Sequence, residues 1–179
     1  MNGNWYPWSA SRIGAPKHSA VYRYIRNIFD ELSVDNVKWI FSINWEDIPR
    51  ENNYMNCYPG DEYVDFIGLD GYNWGNTKPW SRWMSFKEIF DKRYEEAAVH
   101  FKKPIIISEF SSTSSGGDKM MWIREAMAEI KNMKEIRGFV LFNVNKETDW
   151  SFPIDRDSGK ELRLQLKDDY FKDKDGLYD

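Results

Sequence analysis

The sequence predicts an α/β fold built on a parallel sheet, and three observations carry that prediction. Four short apolar runs rich in β-branched and aromatic residues alternate with helical patterns, each run gives way to a polar loop, and polar and aromatic residues gather at those run ends. The runs are residues 37–42 (VKWIFS), 64–69 (VDFIGL), 104–108 (PIIIS) and 137–142 (RGFVLF). Continuous apolar runs of this length fit parallel strands buried on both faces.

The helical patterns have their own punctuation. Val21, Ile25, Ile28 and Leu32 form an apolar stripe at helical spacing before the first run. A second stripe, Phe86, Ile89, Phe90, Ala97 and Phe101, opens with Ser85 and Glu88, the spacing of a capping box. A third helix is expected after Gly116-Gly117 with Asp118 as N-cap, running through Trp122, Ala126 and Ile130. A fourth, weaker pattern covers residues 161–170. No repeat, low-complexity stretch or linker divides the chain, so residues 1–179 read as one domain, and the charged tail 172–179 reads as a solvated end.

Composition narrows the function. The 179 residues are 41% hydrophobic and 30% charged, which is ordinary globular usage and argues against disorder. Apolar runs fall far short of the roughly 18 residues of a membrane span, so no membrane partner is expected. A net charge of −4 offers no basic face for a phosphate backbone, so nucleic acid is not expected either, and a neutral substrate fits better. One cysteine (Cys57) and two histidines (His18, His100) make neither an intramolecular disulfide nor a familiar zinc spacing, so neither a metal nor another cofactor is expected. The opening MNGNWYPW lacks the basic start and apolar core of a signal peptide, leaving either a cytosolic protein or a start further upstream. Nine Trp are the outlier in this composition, several of them in Gly-, Pro- and Asn-rich segments. Core packing accounts for many such rings; sugar clefts use others, because their faces stack on the C–H faces of pyranoses.

Chemistry-bearing residues cluster after the runs: Asn44-Trp45 after the first, Asp70-Gly71-Tyr72-Asn73-Trp74 after the second, Glu109-Phe110-Ser111 after the third, and residues 143–150 after the fourth. In open α/β sheets and (β/α)8 barrels alike, active sites lie at this edge. Glu109 stands out because it leaves an apolar strand directly. A carboxylate there can cap a helix or join a loop salt bridge; it can equally serve as the nucleophile of a retaining glycosidase, paired with a second carboxyl about 5 to 5.5 Å away.

Six blocks in register separate these readings. MNGNWYPWS, NVKWIFSINW, YPGDEYVDFIGLDGYNWG, KPIIISEFSS, GGDKMMWI and GFVLFNVNKETDW, spread over residues 1 to about 150, resemble glycoside hydrolase family 26 in the same order. The resemblance implies a partial (β/α)8 TIM barrel, strands 5 to 8 with the end of strand 4, and makes Glu109 the nucleophile after strand 7. It implies a retaining endo-acting hydrolase of β-1,4-mannan, with a polysaccharide partner and no cofactor. Tyr72 matches the family tyrosine that bonds the nucleophile, and Asp70 the acidic group behind it. Trp150 matches the floor under the sugar at the cleavage point and Trp5 the ring flanking it, while Asn44 and Trp45 would line the cleft. Ordinary packing, turn capping or a loop position remains open for each.

The family pattern at the end of strand 4 reads His-Glu-Met-Asn-Gly, and this chain opens at Met1-Asn2-Gly3. The acid/base Glu would precede Met1, so the expectation is the C-terminal half of a catalytic domain, inactive alone, from a parent that is extracellular or at the cell surface. A complete barrel needs roughly 250 residues. One departure bears on substrate: Ser151 follows Trp150 where the mannanases carry a basic residue, which leaves β-glucan or xylan open. A noncatalytic carbohydrate-binding protein is the reading from another class; Glu109 argues against it, since binding alone needs no such carboxylate.

Overall fold

The computed structural model describes residues 2–172, so most of the charged tail read as a solvated end lies outside the described residues. In chain order the elements are α1 (Ala10–Ile13), α2 (Ala15–Glu31), β1 (Ile40–Asn44), β2 (Phe66–Asn73), α3 (Phe86–His100), β3 (Ile105–Ser112), α4 (Lys119–Asn132), β4 (Ile136–Leu141) and α5 (Asp157–Gln165), with three short 3-10 turns. The four strands form one sheet in the order β1-β2-β3-β4. β1 runs parallel to β2, with Ile40 opposite Phe66 and Asn44 opposite Asp70. The alternation of strands and helices predicted by the sequence is the one observed.

Two expectations about the strands are corrected. The first is their extent: β2 and β3 continue through Asn73 and Ser112, so Asp70, Tyr72 and Glu109 stand on strands rather than in loops. Apolar composition marks where side chains need burial, whereas backbone pairing continues past it; the Trp45 N–H still donates to the Asp70 carbonyl at 2.8 Å. The second is burial on both faces. Ile67, Leu69, Ile105, Ile107, Phe41 and Ile43 are buried, while the intervening Ser42, Ile106, Ser108 and Asp70 are only half-buried.

The chain divides into two compact units, the first comprising Met1–Gly71, Phe90–Glu109 and Glu135–Val140, the second Tyr72–Ile89, Phe110–Lys134 and Leu141–Asp179. In the first, Tyr22 of α2 meets Trp39 and Phe41 edge-on, and Phe29 meets Trp39 the same way. The sheet-facing side of α2 is therefore Tyr22, Arg26 and Phe29. This corrects the predicted stripe: Val21, Ile25 and Leu32 are 43%, 42% and 70% exposed. Both stripes satisfy helical periodicity, and only the sheet selects between them. In the second unit, Phe86, Phe110 and Trp122 form an aromatic core, and the Trp122 indole donates to the Met84 carbonyl at 2.9 Å. The α3 capping box forms, with the Ser85 N–H donating to Glu88 and the Glu88 N–H to Ser85 Oγ. Asp118 caps α4 through the amides of Met120 and Met121. The last helix starts at Asp157 rather than 161 and ends at Gln165; Asp168 then caps a separate turn, which breaks the pattern read through residue 170.

Candidate active site

In the first unit the strand register places Asn44 and Asp70 side by side. Asp70 is half-buried, but its Oδ1 is fully buried with no hydrogen-bond partner in the structure. Burial first, and the charge of Glu109 second, raise its pKa from 3.8 to about 7. Asp70 therefore keeps a proton close to neutrality beside the exposed Glu109 carboxyl. A carboxyl held protonated by desolvation beside a second, exposed carboxyl is the kind of pair on which acid/base chemistry draws.

A polar bracket fixes the strand that flanks this pair. The Asn44 N–H donates to Asn2 Oδ1 at 2.8 Å, and Asn2 Nδ2 donates to the Asn44 carbonyl at 2.9 Å and to Asp47 Oδ1 at 2.8 Å. Arg93, reaching from α3, donates to the Trp45 carbonyl at 3.2 Å, pairs with Asp47 at 3.4 Å and lies over the Tyr54 ring at 4.3 Å. Asn44 spends its own amide on the Glu46 carbonyl at 2.6 Å and is 8% exposed, so it braces the loop, while Trp45 is half-buried. Trp5 is 46% exposed, beside Tyr6 and close over Gly3.

The second unit holds the other aromatic candidates. Tyr72 packs against Trp150 with centroids 4.9 Å apart, and Trp74 meets Trp150 edge-on at 4.7 Å. Trp150 is 1% exposed, so in this structure it backs Tyr72 and Trp74 instead of presenting a face to solvent. Ser111 Oγ donates to the Trp150 carbonyl at 3.0 Å. Lys119 Nζ donates to the carbonyls on either side, Asp149 at 3.2 Å and Ser151 at 2.8 Å, and lies 4.3 Å from the Phe152 ring centre. Burial lowers the Lys119 pKa to about 8. An ammonium from α4 thus reaches the backbone at the position where Ser151 replaces the expected basic residue.

The structure brings Asp70, Glu109, Asn44 and Trp45 together in the first unit and Tyr72 with Trp150 in the second; Trp5 has different neighbours. Sequence reasoning missed Asn2, Arg93, Lys119 and Trp80. A signal existed for two of them: Arg93 lies three residues after Phe90 and four before Ala97, and Lys119 three before Trp122, so each is a cation inside an apolar stripe. Among the described residues no cluster of three or more His, Cys, Asp or Glu could hold a metal, and no helix is long and apolar enough to cross a membrane.

Asp70 yields a direct test. It binds its proton more tightly in the fold than in the unfolded chain, so the stability it contributes is complete below about pH 4 and is lost as pH rises through about 7. Denaturant titration of the wild type at pH 5 and pH 8 should show a loss on the order of 2 kcal/mol from this group. The Asp70→Asn protein should lose that slope; an unchanged slope would place the proton elsewhere.

A parallel α/β sheet that carries a desolvated, protonated carboxyl and an exposed one on neighbouring strands fits the site plan of a hydrolase. Residues 1–134 match glycosyl hydrolase family 26, and the chain belongs to that family. It is 43% identical over 155 residues to endoglucanase H of Acetivibrio thermocellus, covering 83% of this chain and 17% of that protein. It is 28% identical over 141 residues to a mannan endo-1,4-β-mannosidase of Bifidobacterium adolescentis, covering 72% of this chain and 14% of that one. Its fold superposes on the catalytic domain of a family 26 endo-β-1,4-mannanase from Bacillus sp. JAMB-750 with a TM-score of 0.64 at 20% identity, covering 94% of this chain and 48% of that domain. The chain thus spans about half of that (β/α)8 domain and less than a fifth of the two longer relatives.

Proposed function

We propose that these residues belong to a retaining, endo-acting glycoside hydrolase that cleaves β-1,4-mannan. The observation that supports this best is the carboxyl pair on the two inner strands: Glu109 exposed on β3, and Asp70 on β2 with a buried, unpartnered oxygen and a proton held near neutrality. Glu109 attacks the anomeric carbon and forms a glycosyl ester as the leaving oxygen takes a proton; water then cleaves the ester with overall retention. Asp70, kept neutral by its burial and by the charge of Glu109, limits the negative charge at the site to one carboxylate. Tyr72, Trp150, Trp5, Asn44 and Trp45 shape and brace the sugar cleft.

In this reading the acid that protonates the leaving oxygen is the Glu that the family pattern sets before Met-Asn-Gly. The parent acts outside the cell or at its surface, where polysaccharide is met.

A second reading, β-glucan as substrate, is favoured by the 43% identity to an endoglucanase and by Ser151 after Trp150. Hydrolysis of mannan and of mixed-linkage β-glucan by a complete catalytic domain carrying this sequence decides between them. Mannan turnover at least 10-fold above glucan turnover is the expected result; the reverse ratio transfers the assignment to β-glucan.

A further inference from the structure

Lys119 is a cation standing where a cation is unfavourable. It is the first residue of α4, where the helix dipole repels positive charge, and only 7% of its surface is exposed. Burial lowers its pKa to about 8 against the attraction of the Asp149 carboxylate. Its hydrogen-bond partners are neutral: the Asp149 carbonyl at 3.2 Å and the Ser151 carbonyl at 2.8 Å, with the Phe152 ring centre 4.3 Å away. Two carbonyls and a ring face thus meet the three N–H donors of one ammonium.

The two carbonyls flank Trp150. The carbonyl of Trp150 itself accepts from Ser111 Oγ of β3 at 3.0 Å, so three successive carbonyls are held, the outer two by α4 and the middle one by β3. Further bonds fasten the same stretch: the Trp150 N–H donates to the Val144 carbonyl at 3.2 Å, and the Phe152 N–H to Asn143 Oδ1 at 2.8 Å. A Cβ on Gly159 would lie 1.9 Å from the Pro153 oxygen, so α5 closes on the end of this stretch at contact distance. Trp150 is 1% exposed, and Tyr72 rests against it with ring centroids 4.9 Å apart and against Phe142 edge-on at 5.7 Å.

We infer that Lys119 is a positioning residue of the hydrolase: its ammonium locks the backbone on both sides of Trp150 and so fixes the ring against which Tyr72 is set. The role rests on Tyr72 and Trp150 belonging to the site of the proposed function, and it adds a group that touches neither sugar nor reacting atoms. Burial alone keeps Trp150 out of water without setting its orientation, because apolar contacts are non-directional. Hydrogen bonds to both flanking carbonyls are directional, and the charge makes them roughly twice as strong as neutral ones. The other charged groups facing Lys119 are Asp149, held below the usual carboxylate range by its bond from Ser151, and the guanidinium of Arg156, charged throughout. The clamp therefore loosens in alkali as Lys119 itself loses its proton.

The test uses a complete catalytic domain carrying this sequence, with whichever of mannan and β-glucan it cleaves. Lys119→Met keeps the apolar stem and removes the ammonium; kcat should fall roughly 10- to 100-fold with KM changed less than about 3-fold, because a displaced ring misaligns the reacting groups. Lys119→Arg, which restores the charge and the donors, should recover most of the loss. A lysine serving stability alone would lower the melting temperature of Lys119→Met and leave kcat per folded molecule unchanged, and that result overturns the inference. A second measurement needs no loss of the ammonium. With fluorine-labelled tryptophan in the wild-type domain, the Trp150 resonance, assigned through Trp150→Phe, should shift with a midpoint at about pH 8 and should hold still in Lys119→Arg. A wild-type resonance constant through that range overturns the clamp even where Lys119→Met does not fold. Failure of the hydrolase reading has a different signature: no turnover by the wild-type domain, or turnover that survives Glu109→Ala, with the resonance still titrating.

Discussion

Replacing Glu109 with Ala in a complete catalytic domain, made by placing a half that ends in His-Glu before Met1, is expected to lower turnover by roughly 10⁴-fold or more while leaving polysaccharide binding largely intact. Glu109 is exposed on β3, and the core of that strand is made by Ile105, Ile107 and Phe110, so its removal takes away no packing element, and on the proposed mechanism it takes away the nucleophile. Replacing the acid/base Glu should instead spare substrates with good leaving groups, because only protonation of a poor leaving group is lost. A 2-fluoro glycoside, whose fluorine slows breakdown of the intermediate, should label Glu109 in a peptide map. Label on Asp70 or Glu147, or near-normal mannan turnover by the Glu109→Ala protein, would sink the assignment.

The second large effect expected is association of the isolated chain. The outer strands of the sheet are β1 and β4, and each shows an exposed apolar side chain, Ile40 at 38% and Val140 at 55%. On α2, Val21, Ile25 and Leu32 add an apolar stripe that nothing in the described chain covers. Unpaired strand edges beside exposed apolar residues promote intermolecular pairing. Sedimentation at micromolar concentration should find species heavier than the 21.4 kDa chain. Val21→Lys with Ile25→Lys should shift the distribution toward monomer. A wild-type monomer that unfolds in one cooperative calorimetric transition would contradict the expectation.

Both predictions depend on residues whose meaning was divided between sequence and structure. The sequence determined the α/β class, the order of elements, the caps at Ser85/Glu88 and Asp118, and the family, because these depend on local chemistry: periodicity, capping spacing and ordered motifs. It marked Asp70 and Glu109 as chemistry-bearing, since polar residues directly after apolar runs are legible one residue at a time. Only tertiary structure chose which stripe of α2 meets the sheet, because two stripes of one helix satisfy the same period and burial is decided by what lies opposite. It alone turned Trp150 into a buried support and left Trp80 in water. It also drew Arg93 and Lys119 from helices to backbone carbonyls, contacts between residues 48 and at least 30 positions apart. Burial and long-range hydrogen bonds are properties of the assembled neighbours, and no window of sequence contains those neighbours.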